Sequence, residues 1–143
     1  MGTVCGVGSC REVDGMAEGR ALQGLRVLIA EDNLFAAMEL ERVLADLGCE
    51  PIGPVAQLDQ AMRLAQQESL DGALLDVDLR GELVFAVAEE LERRRVPVIF
   101  ASGYDTDDIF PDRFVQHPRL KKPFGEDEIR RVLEAAIGGR AAA

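Results

Sequence analysis

Short apolar runs of strand length alternate with segments of helical period from Arg26 onward, and this alternation limits the fold more than any other feature of the chain. Five such units can be counted, and their strands are predicted at residues 27–30, 51–55, 73–77, 98–101 and 119–121. Parallel strands need a crossover connection, which is usually a helix packed on a face of the sheet. The pattern therefore predicts an α/β fold with a doubly wound parallel sheet covered by helices on both faces.

Two segments depart from the regular pattern. Gly53 and Pro54 interrupt the second predicted strand, which suits the edge of a sheet better than its centre. Residues 105–114 contain Pro111 and four acidic residues, so only a short or irregular fourth helix is predicted there.

Length and composition fit one folded domain, because 143 residues with 48% apolar content can build a single core. Residues 1–24 carry glycine, serine and charge without a long apolar stretch, and they predict a disordered N-terminal tail. Residues 25–138 form the predicted domain, and residues 139–143 a disordered C-terminal tail. Three cysteines without paired spacing indicate a reducing compartment, so a cytoplasmic location is expected.

The charge pattern excludes some partners. The net charge is −10 and no cluster of lysine and arginine could track a phosphate backbone, which argues against direct binding of nucleic acid. No apolar run approaches the roughly 20 residues of a membrane span, so no membrane association is expected.

Polar and charged side chains stand at the ends of four predicted strands. Glu31 and Asp32 end the first strand, Asp76 the third, Ser102 the fourth and Lys122 the fifth. Parallel α/β sheets bind ligands beyond the carboxyl ends of their strands. With the flavodoxin-like strand order 2-1-3-4-5, all five side chains can face one pocket.

Three carboxylates in one crevice repel each other by about 3 kcal/mol for each pair, at about 5 Å and an effective dielectric near 20. A divalent cation with oxygen ligands, Mg²⁺, would offset this repulsion, and Lys122 supplies a second positive charge. Beside these cations, Asp76 is a candidate nucleophile toward a phosphoryl group, with Ser102 as a hydrogen-bond donor to the product. The alternatives are that Glu31 and Asp32 only cap a helix and that Asp76 is a turn residue.

Four stretches together give the chain a family resemblance over residues 25–138. These are VLIAEDN with the acidic pair, GALLDVDLRGE with Asp76, PVIFASGYD with Ser102, and LKKPF with Lys122. The chain resembles a response-regulator receiver domain of two-component signalling. The resemblance implies that Asp76 is the phosphoacceptor and that the donor is a sensor histidine kinase or a histidine phosphotransfer protein. It further implies no enzymatic activity beyond the protein's own phosphorylation and dephosphorylation.

The resemblance also implies a ligand set and a signalling face. Mg²⁺ would be held by Glu31, Asp32, Asp76 and the backbone carbonyl of Asp78. The face of the fourth helix, fifth strand and fifth helix would carry the signal, either to a downstream protein or to a second copy in a homodimer. Receivers of this kind usually have an aromatic residue three positions before the lysine, and Arg119 stands there instead.

The stretches FASGY and PRLKKPF resemble a stand-alone alphaproteobacterial subgroup with a Phe-Ala-Thr-Gly-Tyr motif, whose members commonly lack the aromatic switch. Residues 105–114 are therefore expected to respond to phosphorylation in its place. Output would come through protein contacts or through passing the phosphoryl group on.

Two other functions fit part of the pattern. A haloacid-dehalogenase-like phosphatase shares the LLDVDL pattern, but its nucleophile precedes its acidic pair, whereas Asp76 follows Glu31 and Asp32. A binding module with the same fold could act without phosphate. It would be favoured if Asp76→Asn left partner binding unchanged.

Overall fold

The computed structural model describes residues 22–103 and 109–138. Its strands are β1 (Arg26–Ala30), β2 (Glu50–Val55), β3 (Gly72–Asp76), β4 (Asp78–Leu79), β5 (Glu82–Leu83), β6 (Val98–Ser102) and β7 (Arg119–Lys121). Its helices are α1 (Leu34–Asp46), α2 (Leu58–Gln67), α3 (Phe85–Arg93) and α4 (Glu126–Ile137), and a 3-10 helix spans Asp112–Phe114.

Five strands form one parallel sheet in the order β2-β1-β3-β6-β7. Because β6 and β7 are the fourth and fifth predicted strands, the predicted order 2-1-3-4-5 and the flavodoxin-like fold are confirmed. Every residue of β3 and β6 is buried, as expected for central strands with both faces covered. The interrupted strand with Gly53 and Pro54 lies at the sheet edge, also as predicted.

The two faces of the sheet carry separate parts of the core. Successive residues of a strand point to opposite faces, so Leu74 packs on one side of β3 and Leu75 on the other. The side with Leu74 is covered by the apolar faces of α1 and α4. The side with Leu75 is covered by α2, α3 and the 3-10 helix. This arrangement leaves the carboxyl ends of the strands open.

The folded domain begins before residue 25. Leu22 is only 1% exposed, and its carbonyl accepts a hydrogen bond from the Cys49 thiol at 3.4 Å. The Gly24 N–H donates to the carbonyl oxygen of Gly48 at 2.8 Å. Residues 22–24, which the sequence assigned to the tail, are therefore packed against the domain. The rest of the predicted N-terminal tail and the predicted tail at 139–143 lie outside the described residues.

The connection between β6 and β7 is described from Ile109 onward, so part of the predicted fourth helix lies outside the described residues. Its described part contains a 3-10 helix of three residues, in line with the short or irregular element that was predicted. Among the described residues, no helix combines the length and apolar character that a bilayer crossing requires.

Candidate functional site

Three acidic side chains meet at the carboxyl ends of β1 and β3. The two strands are neighbours, with Ala30 paired to Leu75, so the residues that follow or end them lie side by side. Carboxylate oxygens of Glu31, Asp32 and Asp76 lie within 4.8 Å of one another. Glu31 and Asp76 are 2% and 6% exposed, and Asp32 is half-buried.

Lys122 reaches this cluster from the end of β7. Its Nζ lies 3.0 Å from Asp76 Oδ2 and 3.2 Å from Glu31 Oε1. Its backbone N–H donates to the Ser102 carbonyl at 2.9 Å, which fixes the lysine beside β6. The structure therefore brings together the acids and the lysine that the sequence placed in one pocket.

Burial and neighbouring charges shift the pKa values of two side chains in the cluster. Burial, together with a hydrogen bond to Asp76 and its charge, raises the pKa of Glu31 from 4.5 to about 7, although Asn33 and Lys122 oppose the shift. Burial favours the neutral amine of Lys122. The hydrogen bonds and charges of Asp76 and Glu31 outweigh burial, so the pKa of Lys122 is raised. Negative charge is thus in excess of what Lys122 balances.

Asn33, rather than the acidic pair, caps α1. Its Oδ1 accepts a hydrogen bond from the Ala36 N–H at 2.9 Å, while Glu31 Oε2 accepts from the Asn33 N–H at 3.0 Å. The alternative that Glu31 and Asp32 serve only as helix caps is therefore wrong.

Ser102 ends β6 with its side chain fully buried. Its neighbour Ala101 pairs with Asp76, so Ser102 lies at the same edge of the sheet as the acids. The Ser102 Oγ has no hydrogen-bond partner among the described residues. A buried unpaired hydroxyl costs about 1–3 kcal/mol, so a bound ligand with acceptor oxygens would gain an unused donor here.

A two-stranded hairpin borders the pocket, and it was not predicted from the sequence. β4 and β5 are antiparallel, and the turn between them has positive φ at both central residues, Arg80 (52°) and Gly81 (89°). Its backbone N–H groups contact two acids: Arg80 donates to Asp32 Oδ2 at 2.8 Å, and Asp78 donates to Asp76 Oδ1 at 3.3 Å. Arg-Gly is not a favoured pair for this turn, so the sequence carried no hairpin signal.

The acidic cluster fits a hard divalent cation. All three side chains offer carboxylate oxygens, which are the donors that Mg²⁺ prefers. Glu31 Oε1 is buried and accepts no well-aligned hydrogen bond from the described residues, although Lys122 Nζ is near it. The role of the Asp78 carbonyl as a further ligand stays a prediction.

Comparison with known proteins decides the family. Residues 27–134 match the family model of the response regulator receiver domain. The chain belongs to this family. The receiver domain is similar to stand-alone alphaproteobacterial receivers, among them SdrG from Sphingomonas melonis Fr1, which is 40% identical. That match covers 80% of this chain and 96% of SdrG with a TM-score of 0.70, and SdrG has also been solved in a BeF3-activated conformation.

Two further relatives add detail. The receiver domain of the sensor histidine kinase PA1611 from Pseudomonas aeruginosa PAO1, solved with a magnesium ion coordinated in its active site cleft, is 30% identical. That match covers 80% of this chain and 98% of the other, with a TM-score of 0.66. The sensory transduction protein LytT of Bacillus subtilis is 32% identical over 77% of this chain and 47% of its own length. The chain spans about half of the length of the curated relatives it matches.

Arg119 of this receiver domain lies over an aromatic ring. Its guanidinium carbon is 3.7 Å from the centre of the Phe110 ring. Phe110 in turn packs edge-on against Phe100 of β6, with ring centres 5.2 Å apart. The position that usually holds an aromatic switch residue in receivers is thus occupied by a cation, Arg119, which stacks on the ring of Phe110.

His117, to which the sequence gave no role, joins the same aromatic group. Its ring centre is 5.2 Å from that of Phe114, and its Nε2 lies 3.0 Å from Glu92 Oε2 on α3. Arg113 binds the other oxygen of Glu92 at 2.9 Å. These contacts attach the segment before β7, residues 109–118, to α3.

Proposed function

We propose that this receiver domain accepts a phosphoryl group on Asp76 from a phosphohistidine of a sensor histidine kinase or a histidine phosphotransfer protein, in a reaction that requires Mg²⁺. The observation that carries the proposal is the position of the Asp76 carboxylate. It is buried, it lies 3.0 Å from Lys122 Nζ, and it shares a cluster with Glu31 and Asp32. Family membership favours this function over a haloacid-dehalogenase-like phosphatase.

The proposed transfer is a single displacement at phosphorus. A carboxylate oxygen of Asp76 forms a bond to phosphorus while the phosphorus–nitrogen bond of the donor breaks. The other ring nitrogen of the donor imidazole carries a proton before transfer, so the electron pair of the broken bond stays on the donor nitrogen and the leaving group is a neutral imidazole. The product is an acyl phosphate on Asp76.

The residues around Asp76 have separate roles in this proposal. Lys122 balances negative charge on the phosphoryl oxygens, and the unpaired Ser102 Oγ donates a hydrogen bond to one of them. Glu31, Asp32, Asp76 and the Asp78 carbonyl would hold Mg²⁺, which when bound neutralises charge on the acids and on the phosphoryl group.

An exposed apolar patch on α1 supports a protein as the donor. Leu34, Phe35 and Met38 are 68%, 80% and 55% exposed, and they begin directly after the acidic pair and Asn33. Adjacent exposed apolar side chains commonly mark a protein contact. Because the patch begins two residues after Asp32 of the acidic cluster, a protein that packed on it would lie beside the pocket.

The proposed output is protein contact or onward transfer of the phosphoryl group, from a cytoplasmic protein that can form a homodimer through α4, β7 and the segment before β7. The odd number of cysteines, without paired spacing in the sequence, supports a reducing compartment. SdrG, a similar receiver, has a BeF3-activated conformation, which supports the proposal that this domain also changes conformation on phosphorylation.

Labelled phosphotransfer tests the proposal. Candidate kinases or phosphotransfer proteins, labelled on histidine from ATP, are mixed with wild-type protein, Asp76→Asn and Asp46→Asn in Mg²⁺ or in a chelator. Asp46, at the far end of α1, is the matched control for loss of one carboxylate. Label should reach wild type and Asp46→Asn in Mg²⁺ only. Equal labelling of Asp76→Asn would refute the assignment of the acceptor.

A further inference from the structure

The β4–β5 hairpin supplies two of the hydrogen bonds that hold the acidic cluster. The Arg80 N–H donates to Asp32 Oδ2 at 2.8 Å, and the Asp78 N–H donates to Asp76 Oδ1 at 3.3 Å. A backbone N–H can aim at a carboxylate only while the backbone around it keeps its conformation. The direction of these donors therefore depends on the turn at Arg80 and Gly81.

This turn has little intrinsic stability. Arg80 adopts a φ of 52°, a region that non-glycine residues enter at a cost of about 1 kcal/mol or more. Each strand of the hairpin has only two residues, and both residues of β5 are exposed. Leu79 is the fully buried residue of β4, and the Val84 N–H donates to the Val77 carbonyl at 2.9 Å at the base of the hairpin. This bond lies outside the Arg80–Gly81 turn, so the conformation of the turn itself depends on contacts nearer to it.

The side chain of Asp78 provides that contact. Its Oδ1 accepts a hydrogen bond from the Gly81 N–H at 2.7 Å, which closes the turn across its base. Asp78 is an exposed residue, and its Oδ1 accepts this hydrogen bond from within the turn. Asparagine could make the same bond through its amide oxygen, whereas alanine could not.

We propose that the Asp78 side chain is a positioning residue: by closing the Arg80–Gly81 turn, it aims the backbone N–H groups of Arg80 and Asp78 at Asp32 and Asp76. This role differs from that of the Asp78 backbone carbonyl, and it rests on the proposed function of Asp76. The side chain acts on the geometry of the acids and does not itself touch the phosphoryl group.

Three variants test the inference. Asp78→Ala removes the acceptor, Asp78→Asn removes the charge but keeps the acceptor, and Glu82→Gln removes a charge elsewhere on the hairpin. The first readout is the exchange rate of the Arg80 amide, measured by NMR. The Asp78→Ala substitution itself removes the acceptor of the Gly81 amide, so faster exchange of that amide is expected in any case. The informative amide is that of Arg80, whose acceptor on Asp32 is retained. The second readout is the rate of phosphorylation by a small acyl phosphate in Mg²⁺.

Asp78→Ala should speed exchange of the Arg80 amide roughly tenfold and slow phosphorylation roughly tenfold, since small displacements of reacting groups cause losses of this order. Asp78→Asn and Glu82→Gln should stay within about twofold of wild type in both readouts. Rescue by asparagine separates the hydrogen bond from the charge, and circular dichroism checks that each variant is folded.

Two results would overturn the inference. The first is that Asp78→Ala exchanges its Arg80 amide and becomes phosphorylated at the same rates as the wild type. The second is that Asp78→Asn and Asp78→Ala are phosphorylated equally slowly. Absence of phosphorylation in the wild type with both the small acyl phosphate and a phosphohistidine protein would instead refute the proposed function. In that case the Arg80 amide still decides whether Asp78 orders the turn.

Discussion

Glu31 is a buried acid that shares its surroundings with Asp76 and Lys122. Burial and the carboxyl group of Asp76 raise its pKa to about 7, so the folded protein binds a proton at Glu31 more tightly than the unfolded chain does. Ser102, also buried, has an Oγ without a partner among the described residues. The ionised Glu31 carboxylate and the unpaired Ser102 hydroxyl both oppose the stability of the fold, which is typical of functional positions.

The raised pKa of Glu31 predicts how stability depends on pH without a divalent cation. The contribution of this proton is fully present below the unfolded value of 4.5 and is lost as pH rises through about 7. In a chelator, the thermal midpoint of wild-type unfolding should decrease as pH is raised from 5 to 8. Glu31→Gln should make this decrease smaller, whereas Glu41→Gln, at an exposed position of α1, should leave it unchanged. Parallel curves for wild type and Glu31→Gln would contradict the prediction.

Ser102→Ala should affect stability and function in opposite directions. Removing an unpaired buried hydroxyl should leave the free energy of unfolding unchanged or raise it by about 1 kcal/mol, measured by urea denaturation. The affinity for beryllium fluoride in Mg²⁺ should fall, because the donor to the phosphoryl mimic is lost. Ser69→Ala, before the start of β3 at the opposite end of the sheet, is the control. A marked loss of stability in Ser102→Ala would show that the hydroxyl is already paired.

The sequence predicted which side chains meet in the pocket, but it did not predict the backbone N–H groups that donate hydrogen bonds to them. Glu31, Asp76 and Lys122 could be placed together because the ends of neighbouring parallel strands share one edge of a sheet. The Arg80 N–H that holds Asp32 could not be foreseen, since its direction depends on a turn that the residue types do not favour.

The exposed patch on helix α1 predicts a defect that is limited to phosphotransfer from a protein donor. Phe35 is 80% exposed, so Phe35→Ala should change the free energy of unfolding by no more than about 0.5 kcal/mol. Transfer from a phosphohistidine protein should slow roughly tenfold, as expected for loss of an aromatic contact at an interface. Phosphorylation by a small acyl phosphate should stay unchanged. Val115→Ala, which is 43% exposed before β7, is the matched control.

The opposite result is equally clear. If Phe35→Ala slows both donors alike, the patch acts on the pocket rather than on the protein donor. If it slows neither, the donor does not dock on α1.

The segment before β7 is connected to the pocket through aromatic contacts. Phe110 and Phe114 pack on Phe100, which lies on the same strand as Ser102, and Arg119 covers Phe110. A shift at the end of β6 would therefore displace the segment. Beryllium fluoride with Mg²⁺ should change amide exchange at residues 109–114 by more than about twofold, and Asp76→Asn should show no change. Unaltered exchange in the wild type would rule out this segment as the responsive element.

Elements with a strong period were predictable, and the short hairpin was not. Helix α1 buries Leu40, Val43 and Leu44 at helical spacing, and this pattern is visible in the sequence. The β4–β5 hairpin has two residues in each strand, which is too short for any alternation to be read.

At the scale of the whole described domain, the sheet order follows from the alternation of strands and helices, because parallel strands need crossover connections and five units fill one sheet. The start of the domain did not follow from it. Leu22 and Leu25 are both buried, but Gln23 and Gly24 separate them, so they form no periodic pattern that could be recognised.

The most direct measurement of the central claim is mass spectrometry of the protein after exposure to a phosphohistidine donor. Reduction of the acyl phosphate with borohydride marks the modified aspartate, and peptide mapping locates it. We expect one phosphoryl group per chain at Asp76 in Mg²⁺ and none in a chelator or in Asp76→Asn. A phosphoryl group at another residue, or labelling that persists in Asp76→Asn, would contradict the account.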